Sequence, residues 1–512
     1  MSFEALTRRE ALLAGAAAAA GCATSPLVAP PPGGPAPAAP KGAPNLLFVF
    51  SDQQSFDMLG CYGNQEIRTP SVDALAKGGV RFTTCISNAP VCTPYRGMLM
   101  SGQHPLMNGA FTNDIRPLDG EGRYLGEVLR DSGYRTGWVG KWHLHGGFRR
   151  QPIPPGPLRF GFDDTFYSDN VHSDFRPGQA YYFDDDGKEV RFDEWEPIGQ
   201  AKLASRFIEE SPADRPFALF VSFHAPHNHH GRGYPAPPRL LGNHDPTTLQ
   251  LRANCADTPE HRGLYQGYMA LTTLVDESFQ IIYDALTAKG VAHDTLVVYT
   301  SDHGDLLRSH EFPGPKGRPE DESVRVPLIM SWPNRLPART SELMVGAIDL
   351  MPTLLGMLGL NIPSTVQGRD LARVIFEAKD DEVQSQPLLM IHGRGWRGVY
   401  TRDATFAFER DPKDGAMTFN RLYERSDRWQ LTNRFYDPEW RAKRDELHAL
   451  TQDWLAKFED GFIPYNAIAR ICLKRSDLPL NHRAQTGELK GRPVELLRGF
   501  VPKIGPLPTK LG

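Results

Sequence analysis

Four apolar runs punctuate the first three hundred residues. Asn45-Leu46-Leu47-Phe48-Val49-Phe50 is continuous, as expected of a strand buried on both faces, and it ends in Ser51-Asp52-Gln53. Tyr134 to Gly140 is a weaker strand that leads into Lys141-Trp142-His143. Pro216 to Phe223 meets His224-Ala225-Pro226-His227, and Thr295 to Thr300 delivers Ser301-Asp302-His303-Gly304-Asp305. Helical periodicity over Val72 to Gly79, Leu125 to Ser132 and Leu264 to Lys289 separates the runs. Strand alternating with helix predicts an α/β fold: a large, mainly parallel sheet flanked by helices. In such sheets ligands collect outside the carboxyl ends of the strands. All four runs end in metal-ligand or acid–base side chains, which places a single polar site along one edge of the sheet.

The pattern changes further along. Residues 45–384 read as the main domain. In 385–460, Leu388 to Ile391, Trp396 to Thr401, Thr405 to Glu409 and Asn420 to Tyr423 are short strands separated by turn residues. Asp445 to Phe458 follows as an amphipathic helix, with Leu447, Leu450, Trp454, Leu455 and Phe458 at helical spacing. This predicts a smaller C-terminal antiparallel sheet plus helix. Residues 461–512 read as an irregular tail with nine Lys or Arg against three Asp or Glu; it either wraps the body or shapes the mouth of the cleft.

The first 22 residues do not belong to the folded body. Thr7-Arg8-Arg9-Glu10-Ala11-Leu12-Leu13 is a twin-arginine start, followed by a short Ala-rich apolar stretch ending at Gly21-Cys22. Its apolar part is too short to span a membrane, so it reads as an export signal. Ala20-Gly21-Cys22 resembles a bacterial lipoprotein cleavage site, with Cys22 as the lipidated first residue and Ala19 where leucine is usual. Ordinary cleavage to a freely soluble periplasmic protein is the other reading. Residues 23–44, rich in Ala, Pro and Gly, suit an extended tether. The expected location is therefore periplasmic or outer-membrane-anchored, with membrane contact only through Cys22.

Composition narrows the classes. Of 512 residues, 57 are Lys or Arg and 61 Asp or Glu; the net charge of -4 leaves no electrostatic footprint for nucleic acid. Hydrophobic residues at 40% suffice for a sizeable core. Six cysteines in a chain this long do not make a disulfide scaffold.

The segment Val91-Cys92-Thr93-Pro94-Tyr95-Arg96-Gly97-Met98-Leu99-Met100-Ser101-Gly102 resembles the sulfatase signature: cysteine or serine, any residue, proline, any residue, arginine, then a short helix and glycine. The wider chain agrees, in Asp52, Gly140-Lys141-Trp142-His143, Ala225-Pro226-His227, Thr300-Ser301-Asp302-His303-Gly304, Lys316 and Arg325-Val326-Pro327-Leu328. Asp349 to Leu355 and Gln367 to Leu371 are further landmarks. Over about residues 45 to 460 the chain thus resembles a type I, formylglycine-dependent sulfatase of the alkaline-phosphatase-like superfamily.

That resemblance implies residue roles. Cys92 is oxidised to formylglycine by a maturation enzyme, and its aldehyde hydrate supplies the attacking oxygen; Arg96, one turn on, helps hold it. As the first residue of a helix, Cys92 also lies where unpaired N–H groups favour an anion. Asp52, Gln53, Asp302 and His303 match the family's metal ligands, with Cys92 completing the shell. Calcium is the family expectation, and an imidazole ligand also admits manganese or zinc. Lys141 binds sulfate, His143 is the base that regenerates the aldehyde, and His227 and Lys316 serve the departing alcohol. Asp302, beside the hydrate, helps activate the attacking oxygen. Asn113 is either a substrate-binding residue or a turn cap. Asp57 and Asp305 are expected to cap turns or helices, and His145, His224, His229, His230 and His310 are less specific. The implied activity is an exported sulfatase releasing alcohol and inorganic sulfate from a sulfate ester, with carbohydrate or polysaccharide sulfates foremost. The alternative enzyme is a phosphonate monoester or phosphodiester hydrolase of the same superfamily. A third reading, an inactive sulfated-glycan binding protein, requires Cys92 to stay unmodified.

Overall fold

The computed structural model of the chain describes residues 42–118, 123–171, 174–229, 233–393, 395–410, 417–473 and 489–498. The export signal, Cys22 and all but the last residues of the 23–44 tether lie outside the described residues. The strands of the first part are β1 (Asn45–Asp52), β2 (Val80–Ile86), β3 (Arg135–Gly140), β4 (Thr165–Tyr167), β5 (Tyr181–Phe183), β6 (Glu189–Arg191), β7 (Phe217–Pro226), β8 (Thr295–Ser301), β9 (Arg325–Ser331) and β10 (Arg339–Gly346). Eight of them form one sheet in the order β10-β2-β9-β8-β1-β7-β3-β4, and β5 and β6 make a separate hairpin.

The interior strand β1 pairs in parallel with both β7 and β8. Its side chains alternate between two cores: Leu46, Phe48 and Phe50 on one face, Leu47 and Val49 on the other. Burial on both faces is why the run carries no polar alternation. Each such side chain stabilises the fold by roughly 1.5–3 kcal/mol. The exception to the parallel rule is β9, antiparallel to β2 and β8. The 31-residue helix Pro259–Lys289 starts five residues before its expected beginning, because Thr258 accepts the His261 N–H at 3.2 Å and Pro259 opens the first turn.

Four C-terminal strands, β11 (Ser385–Leu389), β12 (Arg397–Thr401), β13 (Ala404–Arg410) and β14 (Met417–Glu424), form an antiparallel sheet in that order. One face packs Val399, Phe406, Phe408 and Leu422 against Leu447 and Leu455 of helix Arg441–Lys457. Leu388, Tyr400 and Ala407 join the larger core of the main sheet. The segment after Gly461 is not irregular throughout: Tyr465–Cys472 and Pro493–Leu497 are helices. Their Ile468, Cys472, Val494 and Leu497 share a hydrophobic cluster with Leu106, Phe111 and Ile115. Those contacts give the tail an amphipathic role that its charge-rich composition masks. Among the described residues no helix is long and apolar enough to cross a membrane.

Candidate active site

Two adjacent parallel strands bring the carboxylates together. β1 ends at Asp52 and β8 at Ser301, and the register Ser51 opposite Ser301 sets Asp52 and Asp302 side by side. The crossing is pinned by the Asp302 N–H to Ser51 O at 3.1 Å and the Gln53 N–H to Asp302 Oδ1 at 3.0 Å. One ligand atom each from Asp52, Cys92, Asp302 and His303 lies within 4.8 Å of the others, and all four residues are buried. Gly304 follows because a Cβ there would stand 1.9 Å from the Glu322 carbonyl oxygen.

This donor set suits a divalent cation. Burial and the Asp52 charge both push the Asp302 carboxyl up, the penalty a shared cation removes. His303 donates Nδ1–H to the Gly304 carbonyl at 3.0 Å, which turns Nε2 toward Asp52 Oδ1 at 3.6 Å and Asp302 Oδ1 at 3.5 Å, the side on which a metal would sit. Gln53 donates its amide N–H to Asp305 at 2.7 Å, while its Oε1 is buried without a partner among the described residues. Asp305 also caps a turn, accepting the Leu307 N–H at 2.9 Å. A buried amide oxygen left unsatisfied on the residue that follows Asp52 fits a ligand role.

Cys92 opens the helix Cys92–Ser101, every residue of which is buried. Val91, the residue before it, makes no side-chain cap. The cap comes from elsewhere in the chain: Asn113 Oδ1 accepts the Thr93 N–H at 3.0 Å. Cys92 Sγ lies 3.1 Å from Lys316 Nζ, 3.3 Å from His303 Nε2 and 3.7 Å from Asp52 Oδ1. Burial opposes the thiolate, but Lys141, Lys316, His303 and His143 together pull the thiol well below its usual range.

Around this centre lie the cations and histidines. Gly140 turns the end of β3 at φ 118°, where a Cβ would meet the Ser222 carbonyl oxygen at 2.1 Å. Lys141 then donates to Asp52 Oδ2. Burial and the neighbouring Cys92 raise Asp52, but Lys141, His227 and Lys316 prevail and hold it below the usual carboxylate range. Arg96 is fully buried and donates to the Lys141 carbonyl and Ser222 Oγ, both at 2.7 Å, and to Asp302 Oδ2 at 3.3 Å and Asp52 Oδ2 at 3.5 Å. It therefore organises the carboxylate pair rather than touching Cys92.

Lys316 Nζ also donates to His227 Nε2 at 3.1 Å and His303 Nε2 at 3.2 Å. His227 gives its Nδ1–H to the Asn228 carbonyl at 2.8 Å. Burial and Lys316 keep His227 well below the usual histidine range, and burial fails to offset the anions that raise Lys316. One is thus a neutral acceptor and the other a charged donor.

His143 Nε2–H points to Asp114 Oδ1 at 3.0 Å, and Asp114 is gripped by Arg149 at 3.0 and 2.7 Å. Its Nδ1 is then the bare nitrogen, buried without a partner among the described residues.

All eleven sequence-derived site residues fall in this one region. Asp114, Ser222 and Asp305 were missed as supports, since each acts through another side chain and has no motif of its own. The nearest signal was Asp305 three residues after Asp302. Asp57 is no cap: it forms a buried bidentate pair with Arg252, both contacts at 2.7 Å. His310 faces Asn254 and Glu322, and His224 is held by Glu196 at 2.8 Å. His230 lies outside the described residues.

Residues 44–360 match the family model described as Sulfatase, and residues 318–446 match the one described as N-sulphoglucosamine sulphohydrolase, C-terminal. An ulvan-active sulfatase of Formosa agariphila is 31% identical over 434 residues, 82% of each chain. An endo-4-O-sulfatase of Bacteroides thetaiotaomicron is 28% identical over 448 residues, 76% of this chain and 87% of the other. A solved Bacteroides thetaiotaomicron structure, described with the metabolism of multiple glycosaminoglycans, has a TM-score of 0.75 at 25% identity, over 83% of this chain and 98% of that one. The phosphonate monoester hydrolase of Agrobacterium radiobacter shares the fold, with a TM-score of 0.65 at 20% identity over 81% of this chain and 96% of the other.

Proposed function

This chain belongs to the sulfatase family of the alkaline-phosphatase-like superfamily and is a sulfuric ester hydrolase, and we propose that it is an exported enzyme releasing sulfate from carbohydrate sulfates. The reading rests on one observation above all: Cys92, at the head of a buried helix, has its Sγ 3.1 Å from Lys316 Nζ and 3.3 Å from His303 Nε2. With Cys92 matured to formylglycine, Sγ stands in for a hydroxyl oxygen on the same Cβ.

Asp52, Gln53, Asp302 and His303 would hold a divalent cation, calcium by the family expectation, which when bound neutralises charge on the sulfate oxygens. The chain's own residues do the rest. Asp302, beside Cys92 in the same cluster, takes the proton of the attacking oxygen. Lys141 and Lys316 draw the sulfate group in, and Arg96 keeps the two carboxylates from moving apart. Lys316, backed by His227, delivers a proton toward the leaving alcohol oxygen. His143, its Nε2 committed to Asp114, offers Nδ1 to the second hydroxyl on Cys92 so that sulfate departs.

The carbohydrate class draws support from relatives described as an ulvan-active sulfatase and an endo-4-O-sulfatase. Export draws on the twin-arginine start, and anchoring through Cys22 on the Ala20-Gly21-Cys22 cleavage motif, alone. The test is sulfate release by the matured enzyme across a panel of sulfated oligosaccharides, an aryl sulfate and a phenylphosphonate monoester. Sulfate esters should lead in kcat/KM by about tenfold or more, roughly 1.4 kcal/mol at the transition state. Phosphonate monoesters turning over faster than every sulfate would replace this reading with the phosphonate hydrolase. Tight glycan binding with no turnover and an intact Cys92 thiol would replace it with the binding protein.

A further inference from the structure

Beyond Lys316 the reaction centre continues into a cavity of about 400 Å³, bounded by Asn113, Phe312, Lys316, His392, Trp396 and Glu409 among others. Its size is that of a small-ligand site, and its walls combine apolar rings with a few polar groups. Lys316 belongs to both places, since it lines this cavity and donates to Cys92 at 3.1 Å. Trp396 braces the same loop, its indole N–H donating to the Gly317 carbonyl at 2.9 Å.

His392 is the polar group of this wall whose orientation is set jointly by the main domain, through Thr112, and by the C-terminal tail, through Tyr465. Its Nδ1 is 2.5 Å from Thr112 Oγ1, which in turn lies 3.2 Å from the Tyr465 hydroxyl. The Tyr465 ring meets the imidazole edge-on, with centroids 5.6 Å apart at 63°. Chain neighbours of these residues, Phe111, Ile391 and Ile468, pack in one hydrophobic cluster. Burial, working against Asp114, takes His392 below the usual histidine range, so its ring is neutral near pH 7. With Nδ1 engaged by Thr112, Nε2 is the atom left for a ligand.

We propose that this cavity seats the sugar ring bearing the scissile sulfate, and that His392, set by Thr112 and by Tyr465 of the C-terminal tail, reads a hydroxyl of that ring. The inference rests on the carbohydrate reading above. Its consequence is that the tail, remote in sequence from every catalytic residue, is a working part of substrate selection.

The experiment compares kcat/KM for a carbohydrate sulfate and for 4-nitrophenyl sulfate, which has no sugar hydroxyl. In His392→Asn, which keeps an atom near Nδ1 but loses Nε2, the carbohydrate-to-aryl ratio should fall about tenfold or more, chiefly through KM. His392→Gln, which restores a polar atom near Nε2, should recover part of that loss. Tyr465→Phe keeps the ring and its packing, and should lower the ratio by about threefold. Equal losses on both substrates, or an unchanged ratio in His392→Asn and Tyr465→Phe, would overturn the inference alone. A wild-type enzyme that cleaves the aryl sulfate but no carbohydrate sulfate would overturn the substrate reading and this inference with it.

Discussion

At the scale of single residues, the site depends on charges that are never left alone. Arg96 lies between two buried carboxylates, and Lys141 neutralises one of them, so each charge is held by a partner of opposite sign. On the proposed mechanism Cys92 is the residue no other can replace, because the nucleophilic oxygen would be built on its Cβ. Cys92→Ala should fold as the wild type does and lose roughly a thousandfold or more in turnover, about 4 kcal/mol of barrier. Peptide mass spectrometry of enzyme produced with its maturation partner should find aldehyde at this position. Full activity with a Cys92 that still alkylates quantitatively as a thiol would sink the assignment. Asp305 gives a subtler prediction. It holds the Gln53 amide nitrogen and so aims the amide oxygen, which on the proposed reading makes it a support for the metal rather than a ligand. Asp305→Ala should raise the cation concentration for half-maximal activity by about 10–100-fold, with most of kcat regained at saturation. A metal titration of the stripped enzyme checks this, and an unshifted midpoint would deny Asp305 the role.

Elements carry the next level of organisation, because strand ends and helix starts decide where side chains are aimed. The nucleophile helix is capped by Asn113 from a separate loop, and the following residue, Asp114, orients His143. One short segment thus steadies both the nucleophile and the base. A comparable long-range cap sits at the start of helix Pro70–Gly78, where Asp276 of the long helix accepts the Ser71 and Val72 N–H groups at 3.1 and 2.8 Å. Burial outweighs these bonds and lifts the Asp276 carboxyl from 3.8 to about 6. Between those values the folded chain binds a proton that the unfolded chain has released. The stabilisation from that proton is therefore complete below pH about 4 and lost as pH rises through about 6. Asp276→Asn cannot ionise, so its Tm should gain on the wild type as the pH is raised from 4 to 7. Thermal unfolding of the two proteins across that range measures the difference, and a constant gap would mean that Asp276 does not titrate there.

Seen as a whole molecule, the C-terminal sheet is bound to the main domain by shared core rather than by a hinge. Leu388, Tyr400 and Ala407 pack in the same cluster as Phe48 and Phe50 of β1. The described residues accordingly fall in one compact unit. Calorimetry should record a single unfolding transition, because melting the small sheet exposes the core of the large one. Two well-separated transitions would contradict that coupling. Activity should disappear across the same transition, since Lys316 depends on a loop braced by Trp396 from the C-terminal part.

The sequence by itself determined the strand order of chemistry. Apolar runs ending in Asp52, Lys141, His227 and Asp302 announced a mainly parallel sheet with one functional edge, because buried parallel strands admit no polar residue until they emerge. The motif from Cys92 to Gly102 was legible because it is local: positions one turn apart on one helix carry both Cys92 and Arg96. Strands β2, β9 and β10 were not legible, since polar residues and a proline interrupt their apolar pattern. Nor was Asp114 as the partner of His143, Asp305 as the holder of Gln53, or Tyr465 as the far end of a chain of contacts to His392. These pairs are separated by 29, 252 and, for Thr112 with Tyr465, 353 residues. Local pattern records what a residue needs from its own strand or helix. Which distant side chain satisfies a buried nitrogen or oxygen is decided only when packing brings the two together and excludes water from between them.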